Sequence, residues 1–222
     1  MMKPIVVSCV GDSVTEGMNT TGGLKGVNAY PYVLGQLLQQ HGSFTVHNFG
    51  KWGRTALKVS DMPYYDQPEY TDSLNCSPDV VIIGFGANDS KEINWNPAAY
   101  REDMLVLIQT YRALPSHPTV YLNRITCVAD QGKTTCRDAV IQGEILPILD
   151  EIAAQTDCKL IDLNTLSLQH KDEYFDGVHP FDPLQRRMGE YVYNVLCSEG
   201  IGGLTAENAT ETVAAILPKK KN

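Results

Sequence analysis

Five short apolar runs recur along the chain, and between them hydrophobic residues fall at helical spacing. The runs are Ile5–Val10, Phe44–Phe49, Val80–Phe85, Thr119–Ile125 and Lys159–Leu163. Most are continuous and rich in Val and Ile, the pattern of strands buried on both faces of a parallel sheet. Tyr32–Gln40 reads as a first helix. Asn96-Pro97 reads as an N-cap followed by Pro at the first helical position, ahead of Tyr100, Met104, Leu107, Ile108 and Tyr111. Ile141, Ile145, Ile148 and Ile152 form another helical stripe, with Pro147 expected to bend it. Asp182-Pro183 with Gln185 resembles a capped start before Met188, Tyr191, Val192 and Val195. Strands alternating with helices predict a doubly wound α/β sheet, its right-handed crossovers placing helices on both faces.

Residues 1–197 read as one domain and residues 198–222 as a C-terminal extension packed on it or trailing from it. Residues 61–78 form an irregular, aromatic-rich connection. The length of 222 residues is enough for one sizeable core. The net charge of −8 argues against nucleic acid and anionic membrane surfaces as partners. No apolar stretch approaches the roughly 20 residues that span a bilayer. No leader pattern precedes the first strand, so the chain reads as cytoplasmic, although a removed leader would leave no trace. The six cysteines form no CxxC pair, so no zinc site is expected. A disulfide between Cys127 and Cys136 is left open, as are the homo-oligomeric state and the role of residues 126–137 as a lid or subunit contact. Asn208-Ala209-Thr210 matches a glycosylation sequon, from which no glycan is inferred. Lys219-Lys220-Lys221 reads as a solvated end.

In an open parallel sheet, ligands bind outside the carboxyl ends of the strands. The first run is followed there by Gly11-Asp12-Ser13 and the second by Asn48 through Thr55, which includes Gly53. The third is followed by Gly86-Ala87-Asn88-Asp89, and the fifth by a longer loop ending in Asp176-Gly177-Val178-His179-Pro180. Each segment alone is an ordinary turn. Together, and in this order, they bring Ser, Gly, Asn and an Asp/His pair to one edge.

These four blocks, GDSVTEG, NFGKWGRTA, GFGAND and DGVHP, resemble those of the SGNH hydrolases, also called GDSL-type esterases. The resemblance runs from residue 11 to residue 180. It implies a three-layer α/β/α sandwich around a flavodoxin-like five-stranded parallel sheet. It also implies a serine hydrolase without cofactor or metal. By position it makes Ser13 the nucleophile, His179 the base and Asp176 its partner. The Ser13 and Gly53 backbone N–H groups and the Asn88 amide become oxyanion-hole donors.

Elementary chemistry agrees with those roles. A serine hydroxyl needs an adjacent base, and an imidazole titrates near neutral pH. A carboxylate three residues before the histidine can orient the ring. Pro180 restricts the His179 backbone to extended conformations. Asp12 is read as support for the turn, Asn48 as a tie to its neighbours, Thr15 and Glu16 as caps, and Asp89 as a support rather than a reacting group.

Phosphotransfer folds of receiver or dehalogenase type explain neither Asn88 nor the Asp176/His179 pair. The P-loop and GxSxG patterns are absent. The loop from Gly17 to Tyr30 is polar and Gly-rich, unlike a tunnel for long acyl chains. Tyr64, Tyr65, Tyr70 and Trp95 offer aromatic faces for a sugar, and Asp12, Trp95 and Tyr30 are assigned as substrate contacts. The Lys91–Trp95 segment resembles that of bacterial acetylesterases acting on carbohydrates. The expected substrate is therefore a short-chain acyl ester, acetyl first, on an O-acetylated sugar or oligosaccharide. The alternatives are a lysophospholipase or thioesterase for longer chains, and a silent carbohydrate-binding module on the same fold.

Overall fold

The computed structural model describes residues 3–207; Asn208 and the terminal lysines lie outside the described residues. Five parallel strands, β1 (Ile5–Gly11), β2 (Phe44–Gly50), β3 (Val80–Gly84), β4 (Thr119–Arg124) and β5 (Lys159–Asp162), pair in the order β2-β1-β3-β4-β5. This is the flavodoxin-like order of a doubly wound sheet. Each apolar run matches a strand to within a residue or two.

Among the described residues eight α-helical segments accompany the sheet: α1 (Ser13–Glu16), α2 (Tyr30–Leu38), α3 (Pro68–Asn75), α4 (Pro97–Arg112), α5 (Asp138–Val140), α6 (Leu146–Thr156), α7 (Leu163–Leu168) and α8 (Asp182–Ser198). On one face, Val81, Ile83, Val120 and Leu122 meet Leu107, Ile108, Tyr111, Leu149 and Ile152 from α4 and α6. On the other, Val7, Cys9, Val80, Ile82 and Tyr121 meet Leu34, Leu37, Met188, Val192 and Tyr193 from α2 and α8. Alternation of side chains along each strand divides them between these two cores. All six cysteines are free, so Cys127 and Cys136 form no bridge.

Several local expectations need correction. Helix α2 begins at Tyr30, and the four-residue α1 precedes it. The bend near Pro147 is a π-helical stretch, Ile141–Ile145, directly ahead of α6. Such a widened turn interrupts the regular ladder without needing the proline to break it. Asn96 caps α4 as expected, accepting from the Ala99 N–H at 3.1 Å. Helix α8 has no side-chain cap. Asp182 instead accepts from the Thr21 N–H, and the fully buried Gln185 bonds the Tyr30 N–H at 2.8 Å and the Val14 carbonyl at 2.9 Å. Within 61–78 lie α3 and a single 3₁₀ turn, Tyr64–Asp66. Beyond α8, Ile201–Gly203 makes one 3₁₀ turn and Leu204 packs into the second core.

The carboxyl edge of the sheet carries a row of glycines. Gly50, Gly11 and Gly84 are neighbours in register at the ends of β2, β1 and β3. Helix α1 lies directly on Gly11 and Gly50, while Gly84 faces Asn123 of β4. A Cβ at Gly11 would sit 2.2 Å from Thr15 Oγ1, and one at Gly50 would sit 2.2 Å from the Glu16 backbone nitrogen. Neither neighbour can retreat cheaply, because Thr15 and Glu16 are buried. Gly50→Ala is therefore expected to destabilise the protein by about 1–3 kcal/mol, the usual range for overpacking. Urea unfolding measures this, and an unchanged midpoint would mean that α1 does not need the row.

Candidate active site

Asp12 begins the site. Its carboxylate accepts from the Val14 N–H at 2.9 Å and caps α1, in agreement with a turn-supporting role. This places Ser13 at the first helical position, just past the edge of β1. Glu16 does not cap. Its buried carboxylate accepts from the Trp52 N–H at 2.7 Å and ties α1 to the segment after β2. Asn48 adds a second tie, donating to the Thr15 carbonyl and accepting from the Gly50 N–H, both at 2.9 Å.

The Asp176/His179 pair sits on a loop closed like a hairpin. Tyr174 bridges Pro180, the Phe175 N–H donates to the His179 carbonyl, and the Phe181 N–H donates to the Glu173 carbonyl. Gly177 has φ of +85°, and a Cβ there would lie 2.5 Å from the Asp130 carbonyl. Its own carbonyl accepts from the Ala129 N–H at 2.7 Å. A left-handed turn pressed against a neighbouring backbone requires glycine at this position.

Within that loop His179 Nδ1 is 2.7 Å from Asp176 Oδ2, and Nε2 is 2.8 Å from Ser13 Oγ. The other Asp176 oxygen accepts from the His179 and Val178 N–H groups at 2.9 and 3.1 Å. Partial burial works to raise the Asp176 carboxyl, but bonds from the His179 ring and backbone outweigh it and hold the group below its ordinary value. An ionised carboxylate only accepts, so Nδ1 carries the proton and Nε2 is left to accept from the Ser13 hydroxyl.

Gly53 and Asn88 share one pocket with Ser13, Asp176 and His179, a cavity of about 170 Å³. Gly53 has φ of +76°, a turn that needs glycine, and a Cβ there would meet Met62 Sδ at 2.9 Å. One Asn88 amide hydrogen donates to the Arg54 carbonyl at 3.2 Å. Its second is free of that bond, and Asn94 fixes the Asn88 carbonyl at 3.0 Å.

The three substrate contacts assigned from sequence do not reach this pocket. Tyr30 is wholly buried and, with Asp12, lines a separate cavity of about 20 Å³. Trp95 donates from Nε1 to Glu144 and packs on Tyr100. Tyr64 and Tyr65 are likewise engaged, donating to the Phe49 and Asp103 carbonyls. The aromatic residue at the pocket is Trp52, 48% exposed, inside a block quoted for its glycines. Residues Lys133–Cys136 form a further wall, as does Lys91. Among the described residues no group of His, Cys, Asp and Glu could hold a metal ion, and no helix is long and apolar enough to cross a membrane.

Three comparisons bear on this arrangement. The model of the GDSL-like lipase/acylhydrolase family matches residues 9–187, and the chain belongs to that family, a class of carboxylic ester hydrolases. It is 32% identical over 210 residues to an acetylxylan esterase of Xylanibacter ruminicola, covering 85% of this chain. It spans 42% of that relative's length. A lipase/acylhydrolase from Enterococcus faecalis superposes with a TM-score of 0.67 at 21% identity, covering 86% of this chain and 95% of the other. A carbohydrate acetylesterase family member from Sinorhizobium meliloti gives 0.63 at 21% identity, covering 87% and 98%. These two likenesses show the fold: a five-stranded parallel sheet with helices on both sides.

Two buried acids lie behind the pocket. Burial pushes the Asp12 carboxyl up to about 6, against the pull of the Val14 N–H and the charges of His179 and Lys91. Burial likewise pushes Asp89 up to about 7; its bond from the Leu57 N–H opposes this and the charge of Asp12 adds to it. Unfolded, such acids titrate near pH ~4. Between that value and their folded values, the native state keeps protons that the unfolded chain has shed. Stability therefore falls as pH rises from about 4 towards 7. Asp89→Asn removes one of these acids, and its amide oxygen can still accept from Leu57. The loss of unfolding free energy between pH 5 and pH 8 should shrink by at least about 1.4 kcal/mol, the equivalent of one pKa unit. Denaturant unfolding of both proteins at the two pH values checks this, and equal losses would refute it.

Proposed function

We propose that this protein is a serine esterase that removes short acyl groups, acetyl first, from O-acetylated carbohydrates. The observation that carries the reading is the hydrogen-bonded series Ser13–His179–Asp176, open to the same pocket as Gly53 and Asn88. Ser13 Oγ attacks the ester carbonyl carbon as its proton passes to His179 Nε2. Asp176 holds the ring and stabilises the imidazolium. The carbonyl oxygen becomes an oxyanion, stabilised by the Ser13 and Gly53 N–H groups and the Asn88 amide. Collapse breaks the ester C–O bond. The alcohol leaves with the proton from His179, and the acyl group stays on Ser13. Water then attacks the acyl-enzyme, giving its proton to His179. Acetate departs, and the proton returns to Ser13 Oγ.

The acyl preference rests on the pocket walls. The space around Ser13 is small, about 170 Å³, and Met62 closes on Gly53. A long acyl chain would outrun the apolar contacts of Trp52, Met62 and Val178, and each further methylene would forgo the roughly 0.8 kcal/mol gained in apolar surroundings. The relative named an acetylxylan esterase supports the carbohydrate part of the reading.

On p-nitrophenyl esters from acetyl to octanoyl, kcat/KM is expected to be highest for acetyl. A rise towards octanoyl would overturn the short-chain assignment. Ser13→Ala should abolish turnover and labelling by a fluorophosphonate while the protein keeps its unfolding midpoint. Asn88→Ala should lower kcat by ~10²–10³, the cost of one oxyanion donor. Full activity in Ser13→Ala would mean another nucleophile.

A further inference from the structure

The segment between β4 and α5 touches both halves of the site. Near its start the Ala129 N–H donates to the Gly177 carbonyl at 2.7 Å, and the Asp130 backbone lies against the same glycine of the histidine loop. Its middle, Lys133–Cys136, walls the pocket. The Val128 N–H donates to Asp138 at 2.9 Å and closes the segment at its neck. The Gln131 amide donates to the Cys136 carbonyl at 2.6 Å across it. Arg137 stands at the far end.

The backbone and the side chain of Arg137 both bond Ser90. The Arg137 N–H donates to Ser90 Oγ at 2.8 Å, and Nε donates to the Ser90 carbonyl at 2.5 Å. Ser90 is wholly buried and lies two residues beyond Asn88. Its hydroxyl donates to the Ala87 carbonyl at 2.7 Å, and its N–H donates to the Gly86 carbonyl at 2.9 Å. A hydroxyl has one proton to give, so Oγ meets the Arg137 N–H as an acceptor. Ser90 thus closes the turn from Gly86 on itself, and Arg137 grips that turn from outside.

Asn88 sits in the middle of the turn. Its side chain is held only by the 3.2 Å bond to the Arg54 carbonyl, and Asn94 meets its backbone carbonyl at 3.0 Å. A bond from a guanidinium is charge-assisted, and stronger than one between neutral groups. At 2.5 Å the Arg137 bond is also shorter than any of the turn's own. An oxyanion donor is effective when it is aimed before the charge develops. A turn free to yield would have to be reoriented at the moment of reaction.

We propose that Arg137 is a positioning residue: by clamping Ser90 it fixes the turn that presents the Asn88 amide to the oxyanion. The inference rests on the serine-esterase reading above. It adds a residue from outside the four sequence blocks, supplied by the segment after β4.

The test measures Arg137→Met and Arg137→Gln on p-nitrophenyl acetate, with Ser13→Ala as the blank and urea midpoints to ensure that folded proteins are compared. Both variants remove the charge and keep nearly the same length. Only glutamine retains an N–H at the bond count of the arginine Nε. Arg137→Met should lower kcat about tenfold with KM within about twofold, because a misaimed donor weakens the transition state alone. Arg137→Gln should hold kcat within about threefold of the parent, since the bond survives without its charge. In an Asn88→Ala background Arg137→Met should lower kcat by less than about twofold, because the group it positions is gone. Parental kcat in Arg137→Met, or equal losses in both variants, would overturn the assignment and leave the esterase reading standing. A full tenfold loss in the Asn88→Ala background, or a displaced pH profile of kcat/KM in Arg137→Met, would place the effect on the histidine loop and overturn it too. Full turnover by Ser13→Ala would overturn the serine reading, and this inference with it.

Discussion

The close seating of α1 on the sheet edge is the contact on which the rest of the site depends. Two strand ends without side chains, Gly11 and Gly50, let the first turn after β1 descend until it meets the backbone of β2. Ser13 is consequently held by the sheet rather than by a loop. Asp12 caps the turn from beneath, Gln185 takes the Val14 carbonyl from α8, and Glu16 and Asn48 secure the segment that carries Gly53. Each of these polar side chains answers a backbone group that the tight seating would otherwise bury without a partner. Tight packing and polar satisfaction are here two aspects of one requirement.

One of these supports, Asp12, shares an electrostatic load with a second buried acid, Asp89. Asp12 and Asp89 are carboxyls removed from water, and the charge of Asp12 adds to the cost of ionising Asp89. They are held because their acceptor oxygens bond the Val14 and Leu57 N–H groups. This fold spends stability near its pocket to fix two turns.

The fold was legible because buried parallel strands leave an unbroken apolar signature, and the five runs carried it. The blocks at the strand ends were legible because a parallel sheet delivers every strand to the same edge. Short-range periodicity could not show what long-range packing decides. Gln185 looks like part of a capping box but bonds two other segments. Trp95 and Tyr30 look available, yet one is drawn to Glu144 and Tyr100 and the other into the core. Trp52 gives no signal of its own, because the glycines of its block carry the pattern. The π-helical turn before α6 gives no sequence signal distinct from an ordinary helix.

The loop from Glu173 to Phe181 is anchored in both cores, through Tyr174 on one face of the sheet and Val178 on the other, and Glu173 pairs with Arg187 of α8. Protein regions open in cooperative units, and a segment anchored in the cores opens with them. His179 and Asp176 ride on this unit, while Ser13 is fixed to the sheet. Heating would thus part His179 from Ser13 only as the cores themselves loosen. The distance between those two side chains becomes a gauge of the whole molecule rather than of one loop.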